Sequence, residues 1–117
     1  MASTIFNMQN QVITMVRGDT LSFGVQIYDQ DEALMDIEEA FFSCKKDING
    51  SAYVFQKSTS DGIERMETGF YDVRIAPEDT AELEAGRYFY DMQVRLNSDV
   101  FTIMKGVLDI EMNVTAQ

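Results

Sequence analysis

The stretch APEDTAELEAGRYFYDMQVRL, residues 76–96, determines how the rest of the chain is interpreted. It opens with a helix-start signal, because Pro77 suits the first helical position, where the N–H that proline lacks would be unpaired anyway. Glu78 and Asp79 place negative charge at the positive end of the helix dipole. Gly86 supplies a stop. The sequence therefore predicts a short helical corner of at most two turns, over about residues 77–83.

After Gly86 the periodicity of the sequence changes from helical to strand-like. From Tyr88 to Leu96 every second residue is apolar, and the residues between them are mostly polar. This alternation predicts a half-buried strand entered through the helical corner. Corners of this kind join the two sheets of an immunoglobulin-like sandwich, where a tyrosine near the strand start hydrogen-bonds back to the corner backbone. Tyr88 and Tyr90 are both candidates for that tyrosine.

Strand signals recur along the rest of the chain at intervals of about 8–12 residues, which is typical of an antiparallel sandwich or barrel. They lie at residues 11–16, 21–28, 40–48, 51–58, 64–75 and 100–113. The predicted fold class is therefore all-β, an immunoglobulin-like antiparallel β-sandwich with one short helical corner. A chain of 117 residues fits one domain. We expect a loose N-terminal arm over residues 1–9 and a single sandwich domain over residues 10–117.

Two predicted strands have alternation clear enough to assign an inward face. On residues 21–28 the inward set is Leu21, Phe23, Val25 and Ile27. On the last strand the predicted inward set is Val100, Met104, Leu108, Ile110 and Met112. Gly106 interrupts this strand and marks a candidate bulge, at which the phase of the strand would shift.

Asn49-Gly50 is the strongest hairpin signal in the chain. A two-residue type I′ turn needs positive φ at both positions, which Asn and Gly tolerate. That turn would pair Cys44 with Phe55 and fix which residues face the core. The predicted core face carries Phe42, Cys44, Tyr53 and Phe55, and the other face carries Phe41, Ser43, Lys45, Val54 and Gln56. A slip of one residue would exchange the two faces.

Composition argues against several classes of function. Nine Lys and Arg against 20 Asp and Glu give a net charge of −11, which repels phosphate, so we expect no nucleic-acid or anionic-membrane partner. The absence of histidine removes the usual general base and metal ligand. The single cysteine, Cys44, cannot form an internal disulfide and, with no signal-peptide pattern, indicates a reducing compartment. We expect no enzyme activity, catalytic residue, cofactor or metal.

Two short patterns have both a functional and a structural interpretation. Arg17-Gly18-Asp19 matches the integrin-recognition triplet, but turn chemistry between two strands explains it better. Asp29, Asp31, Glu32 and Asp36 could hold a hard cation such as calcium. Counted from Asp29, however, the cluster lacks the glycine and glutamate that the twelve-residue calcium loop requires at positions six and twelve. The sequence favours a polar loop and leaves cation binding open.

Aromatic side chains on outward strand positions are the candidate interaction residues. Phe41 on the predicted hairpin, Phe89 on the strand after the corner and Phe101 on the last strand all face outward under the predicted phase. Three such residues on neighbouring strands would form an apolar patch of the kind that contacts another protein. An error of phase on one strand, or a loop covering them, would remove the patch. Sugar stacking is a third interpretation, which requires aromatics beside polar side chains.

The order of several motifs resembles the N-terminal domain of phage baseplate upper proteins. The matching segments are MVRGDT (15–20), FGVQI (23–27), APEDTA (76–81), LEAGRYFYDMQV (83–94), FTIMKGVLDI (101–110) and NVT (113–115). The resemblance implies a small β-sandwich that docks into the tail baseplate and has no catalytic residues. Members of that family usually continue into a linker and further domains, whereas this sequence ends at Gln117. A stand-alone accessory protein, or a relative at another position in the tail or head, therefore stays open as an interpretation.

From these observations and this resemblance we expect a non-enzymatic structural protein of a phage or prophage tail, a baseplate-type module acting through protein–protein contacts. Its expected partners are other phage structural proteins and further copies of itself, in the virion tail and, during assembly, in the host cytoplasm. The alternative is an immunoglobulin-like adhesion or carbohydrate-binding module.

Overall fold

The computed structural model of the chain describes residues 11–115. The expected loose arm over residues 1–9 lies outside them. The elements in chain order are β1 Gln11–Val16, β2 Leu21–Gln26, β3 Glu39–Lys45, β4 Phe55–Ser58, β5 Ile63–Glu67, β6 Phe70–Ile75, α1 Pro77–Thr80, β7 Gly86–Leu96 and β8 Asp99–Glu111.

The strands form two sheets, with the orders β1-β8-β7-β3-β4 and β2-β6-β5. All pairs of strands within the sheets are antiparallel except β1 with β8, which is parallel. In an immunoglobulin sandwich the second, fourth and fifth strands share one sheet, and the third, sixth and seventh share the other, to which variable-type domains add strands beside the third. With β4 taken as that added strand, these strands are divided between the sheets in the same way here, whereas the first strand, β1, lies beside β8 and not beside β2. The fold is immunoglobulin-like.

The helical corner and its tyrosine confirm the prediction made from residues 76–96. The helix α1 is shorter than expected and ends at Thr80. The carboxylate of Asp79 accepts a hydrogen bond from the backbone N–H of Ala76 at 2.7 Å, which holds the first turn. Tyr88, which is buried, donates its hydroxyl to the carbonyl of Glu84 at 2.7 Å. Tyr88, and not Tyr90, is therefore the corner tyrosine.

Replacing the corner tyrosine measures how much the corner contributes to stability. We expect Tyr88→Phe to lower the free energy of unfolding by about 1 kcal/mol, because it removes one buried hydrogen bond and leaves the carbonyl of Glu84 without its partner. Tyr53→Phe is the control, since Tyr53 is 52% exposed and should change stability little. Urea denaturation of both variants is the measurement, and equal losses would contradict the role of Tyr88.

The core lies between the two sheets and is built from the alternating residues of their inner faces. The predicted inward residues of β2 all lie on this side, with Val25 and Ile27 buried and Leu21 and Phe23 packed against the core. Phe42 is at the centre. Its ring centroid lies 5.2 Å from that of Tyr90, 5.6 Å from that of Phe23 and 6.3 Å from that of Phe55.

The hairpin prediction is right in register and wrong in its turn. Cys44 pairs with Phe55 as expected, but the strands end there and residues 46–54 form a loop. Neither Asn49 nor Gly50 has positive φ. The carbonyl of Asp47 accepts the N–H of Gly50 at 2.8 Å, and its carboxylate accepts the N–H of Asn49 at 3.0 Å. Asp47 therefore places the turn one residue earlier than expected.

Because the pairing of β3 with β4 ends at Cys44 and Phe55, two residues of the loop face the opposite way from the prediction. Tyr53, which was expected in the core, is 52% exposed. Val54, which was expected on the other face, packs against the core. The two-residue turn with positive φ at both positions occurs instead between β7 and β8, at Asn97 (54°) and Ser98 (73°).

Two further strand predictions need correction. Residues 64–75, expected as one strand region, form the two strands β5 and β6 with a turn at Thr68 and Gly69. On β8 the register shifts opposite Met92 and Gln93, so that Ile103 and Met104 are both buried. The bulge is therefore at Ile103 and not at Gly106.

The bulge in β8 changes which residues of that strand face the core. Phe101, expected to point outward, pairs with the buried Val94 and packs against the core. Val100, expected inward, precedes the bulge and is 58% exposed, whereas Met112, also expected inward, lies beyond the end of β8 and is 64% exposed. Leu108, Ile110 and Met104 are buried as predicted, because they follow the bulge.

Candidate functional site

The outer face of the five-stranded sheet carries a groove with a volume of about 740 Å³. The strands β3, β4, β7 and β8 supply its floor, and the loop of residues 46–54 supplies one wall. Its lining combines aromatic and aliphatic side chains with a few polar ones: Phe41, Ser43, Lys45, Ile48, Tyr53, Gln56, Phe89, Tyr90, Asp91, Gln93, Lys105, Gly106 and Val107. Pockets with this mixture are the usual location of binding sites.

An apolar row crosses this face at right angles to the strands. Phe89 on β7 pairs with Val107 on β8, and Val107 pairs with Val12 on the edge strand β1. At the other end of the groove, Ile48 and Tyr53 are 62% and 52% exposed, and Val12 is 63% exposed. We call Val12, Ile48, Tyr53, Phe89 and Val107 the apolar row. Phe89 and Val107 are half-buried, and Ile48 and Tyr53 belong to the loop wall. Exposed apolar side chains that lie close together on one face favour contact with another molecule.

Asp91 lies in the middle of the groove, on the central strand of the sheet. It pairs with Ser43 on β3 and with Lys105 on β8. Burial raises the pKa of the Asp91 carboxyl, while the positive charges of Lys45 and Lys105 act in the opposite direction. A carboxylate that is partly removed from water costs stability unless it is paired, and such groups concentrate at functional sites.

Neighbouring polar groups of the groove are held in place by short hydrogen bonds. The side-chain amide of Gln56 donates to the hydroxyl of Ser43 at 2.9 Å. Lys45 donates to the carbonyl of Gly50 at 2.7 Å, and its ammonium lies 5.5 Å from the ring centroid of Tyr53. The Lys45 contacts tie the loop wall to β3, and the Gln56 hydrogen bond ties β4 to the same strand.

The three aromatic residues singled out from the sequence do not form one patch. Phe41 and Phe89 line the groove from neighbouring strands, with Phe41 opposite Gln93 and Phe89 opposite Lys45. Phe101 lies on the opposite side of the sheet, against the core, because of the bulge at Ile103. Sequence reasoning missed Tyr53, Val107 and Val12, since their positions depend on the true turn, the bulge and the parallel pairing of β1.

The integrin-type triplet is part of the turn between β1 and β2. The guanidinium of Arg17 donates to the carbonyl of Leu83 at 3.1 Å and to the side chain of Asn113 at 3.2 Å. Gly18 is buried, and its N–H donates to the hydroxyl of Thr80 at 2.9 Å. The triplet therefore links the first turn to the helical corner, and its arginine is already engaged.

The acidic loop uses its carboxylates for internal hydrogen bonds. Asp29 accepts the N–H groups of Asp31 and Ala33 at 2.8 and 3.0 Å. Asp36 accepts from Arg65 and from the N–H of Gly69, both at 3.0 Å, and these bonds lower the pKa of its carboxyl. Across residues 11–115, no group of three or more Cys, Asp or Glu side chains is arranged to hold a metal ion.

Cys44 is fully buried in the core, as predicted, and burial raises the pKa of its thiol to about 12. Because the folded pKa lies above the unfolded value of about 8.5, the buried neutral thiol stabilises the fold fully below that pH. This contribution is lost as the pH rises toward 12.

We expect the free energy of unfolding to fall as the pH rises from 9 to 11, and we expect ionisation of the Cys44 thiol to cause part of this pH dependence. The substitution Cys44→Ala should reduce the slope of the unfolding free energy against pH by up to about 1.4 kcal/mol per pH unit. The pKa values of Tyr71, Tyr88 and Tyr90 are also raised by burial, so the variant should keep a residual slope above pH 10. Urea denaturation at each pH measures both proteins, and identical slopes would contradict the prediction.

No family model matches the chain, and no curated protein matches it. Among solved structures, the chain is similar to the NK cell receptor Nkp44, described as a triggering partner in natural cytotoxicity, at 18% identity and a TM-score of 0.44. The similarity covers 90% of this chain and 99% of that one. A likeness of this degree carries no inference about function, and the strand order and the Tyr88 corner define the fold on their own.

The described residues contain no helix that is long and apolar enough to cross a bilayer.

Proposed function

We propose that this chain is a non-enzymatic structural module of a phage or prophage tail, and that it acts through protein–protein contacts made by the outer face of the five-stranded sheet. The apolar row is the observation that carries the proposal. It presents exposed and half-buried apolar side chains beside polar and charged groups, a mixture found at protein–protein interfaces. The tail location rests on the motif order of residues 15–115.

The experiment uses the products of the reading frames that neighbour the gene. Each is co-expressed with the tagged chain and purified through the tag. We expect one or more structural proteins to co-purify, and Phe89→Ser to weaken that association at least tenfold, since it removes a large apolar side chain from the row.

Met66→Ser is the matched control for this experiment. Met66 is 61% exposed on β5 of the other sheet, so its loss changes exposed apolar surface without touching the groove. Equal co-purification of the wild type and both variants would contradict the proposed face. Neighbouring genes that encode no particle proteins would contradict the tail role.

An adhesion or carbohydrate-binding module is the second candidate, favoured by the aromatic and polar side chains that share the groove. Tyr53 and Phe89 offer ring faces, and Gln56, Ser43 and Asp91 offer hydrogen-bonding groups within the same lining. A glycan array would show specific binding, and the bound sugar would raise the melting temperature, because a ligand held only by the folded state stabilises it. Absence of binding across the array would eliminate this candidate.

A further inference from the structure

The outward strand positions of the five-stranded sheet are electrically neutral, although the chain carries a net charge of −11. Alternation along the strands places equal numbers of basic and acidic residues on this face. These residues are Lys45, Arg87, Arg95 and Lys105 with Glu39, Asp91, Asp109 and Glu111. The whole net charge therefore lies on the loops and on the other sheet.

Two internal ion pairs use part of these charges. Arg87 lies 3.5 Å from the carboxylate of Asp109, and Arg95 pairs with Glu39. Within the described residues, Lys45, Lys105 and Asp91 form no ion pair. The centre of the face thus carries one carboxylate and two lysines that form no ion pair within the described residues, next to the apolar row.

This charge distribution determines how two copies of the chain can approach one another. Two molecules of charge −11 repel across most of their surfaces, and the repulsion is smallest where both present the neutral face. The face is also large enough. Five strands spaced about 4.8 Å apart give a width of about 24 Å, and the 11 residues of β7 extend it lengthwise. A standard interface buries about 800 Å² per partner.

We propose that this face binds a second copy of the chain in a two-fold arrangement. This inference rests on the proposed function and specifies the partner that binds the face. In such an arrangement the same patch meets itself and must be self-complementary. The apolar row of each copy is covered by the other copy, and Asp91 of each copy faces the lysines of the other.

Sedimentation velocity and light scattering across a range of salt concentrations test the proposal. We expect a monomer–dimer equilibrium that shifts toward the dimer as NaCl increases from 0.05 to 1 M, because the Debye length falls from above about 10 Å to about 3 Å and the mutual repulsion is screened. Phe89→Ser should shift the equilibrium to the monomer.

Two charge reversals of equal size distinguish an effect of the charge on this face from an effect of the net charge of the whole chain. Lys105→Glu makes the face negative, and we expect it to raise the dimer dissociation constant at least tenfold. Arg74→Glu makes the same change at an exposed position on β6 of the other sheet, and we expect less than a threefold effect. Equal effects of the two variants would overturn the assignment of the face.

A wild-type chain that remains monomeric at about 1 mM in 0.5 M NaCl, where even a millimolar dissociation constant would be seen, would overturn the second copy as the partner. The proposed function would survive that result if co-purification with a neighbouring gene product still depended on Phe89. If neither association depended on Phe89, both proposals would fall.

Discussion

Replacing Phe42 with alanine is expected to lower the free energy of unfolding by about 3–5 kcal/mol, the usual cost of deleting a buried phenylalanine. Phe42 is fully buried and contacts three other aromatic rings. The two facing sheets cannot close the cavity without moving these rings. A domain of this size has a total stability of roughly 6–17 kcal/mol, so the variant loses a large part of it.

Phe41→Ala is the matched control, because it makes the same substitution one residue earlier on the same strand. Phe41 points to the groove and is half-buried, so its loss opens no core cavity, and we expect about 1 kcal/mol or less. Urea denaturation with an unchanged m-value measures both variants. Similar losses at the two positions would contradict the inward and outward assignment of β3.

The second large effect is expected at a buried ion pair between the edge strand β4 and the helical corner. Lys57 is 5% exposed, and its ammonium lies 2.9 Å from the carboxylate of Asp79. Removing one partner of a buried pair leaves the other charge uncompensated, so we expect Lys57→Ala to cost about 3 kcal/mol. Arg87→Ala, which breaks the exposed pair with Asp109, should cost less than about 1 kcal/mol.

A double-mutant cycle identifies the pair as the origin of this loss. Asp79→Asn keeps an oxygen that accepts the N–H of Ala76, and Lys57→Met keeps most of the buried side-chain volume. The double variant should be more stable than the sum of the two single losses predicts, by at least about 1 kcal/mol. Thermal and urea unfolding give the four free energies. Strict additivity would show that the two side chains contribute independently.

The functional face could be predicted from the sequence only in part. The predicted hairpin register assigned Phe41 to an outward position correctly, and alternation along the strand after the helical corner did the same for Phe89. Alternation failed for Phe101, since the extra residue in β8 at Ile103 leaves no sequence signature. The predicted turn failed for Tyr53, because hydrogen bonds accepted by Asp47 place the turn one residue earlier.

The sequence by itself determined the elements of this protein: the strands with clear alternation, the helical corner begun by Pro77 and the inward face of β2. These depend on the backbone preferences and side-chain periodicity of short segments. Only the tertiary structure decided which strands are neighbours, where β8 shifts register and which outward side chains meet across the sheet. The groove and the neutral charge of the outer sheet face arise from residues far apart in the chain, and pairing between distant strands is encoded in no single segment.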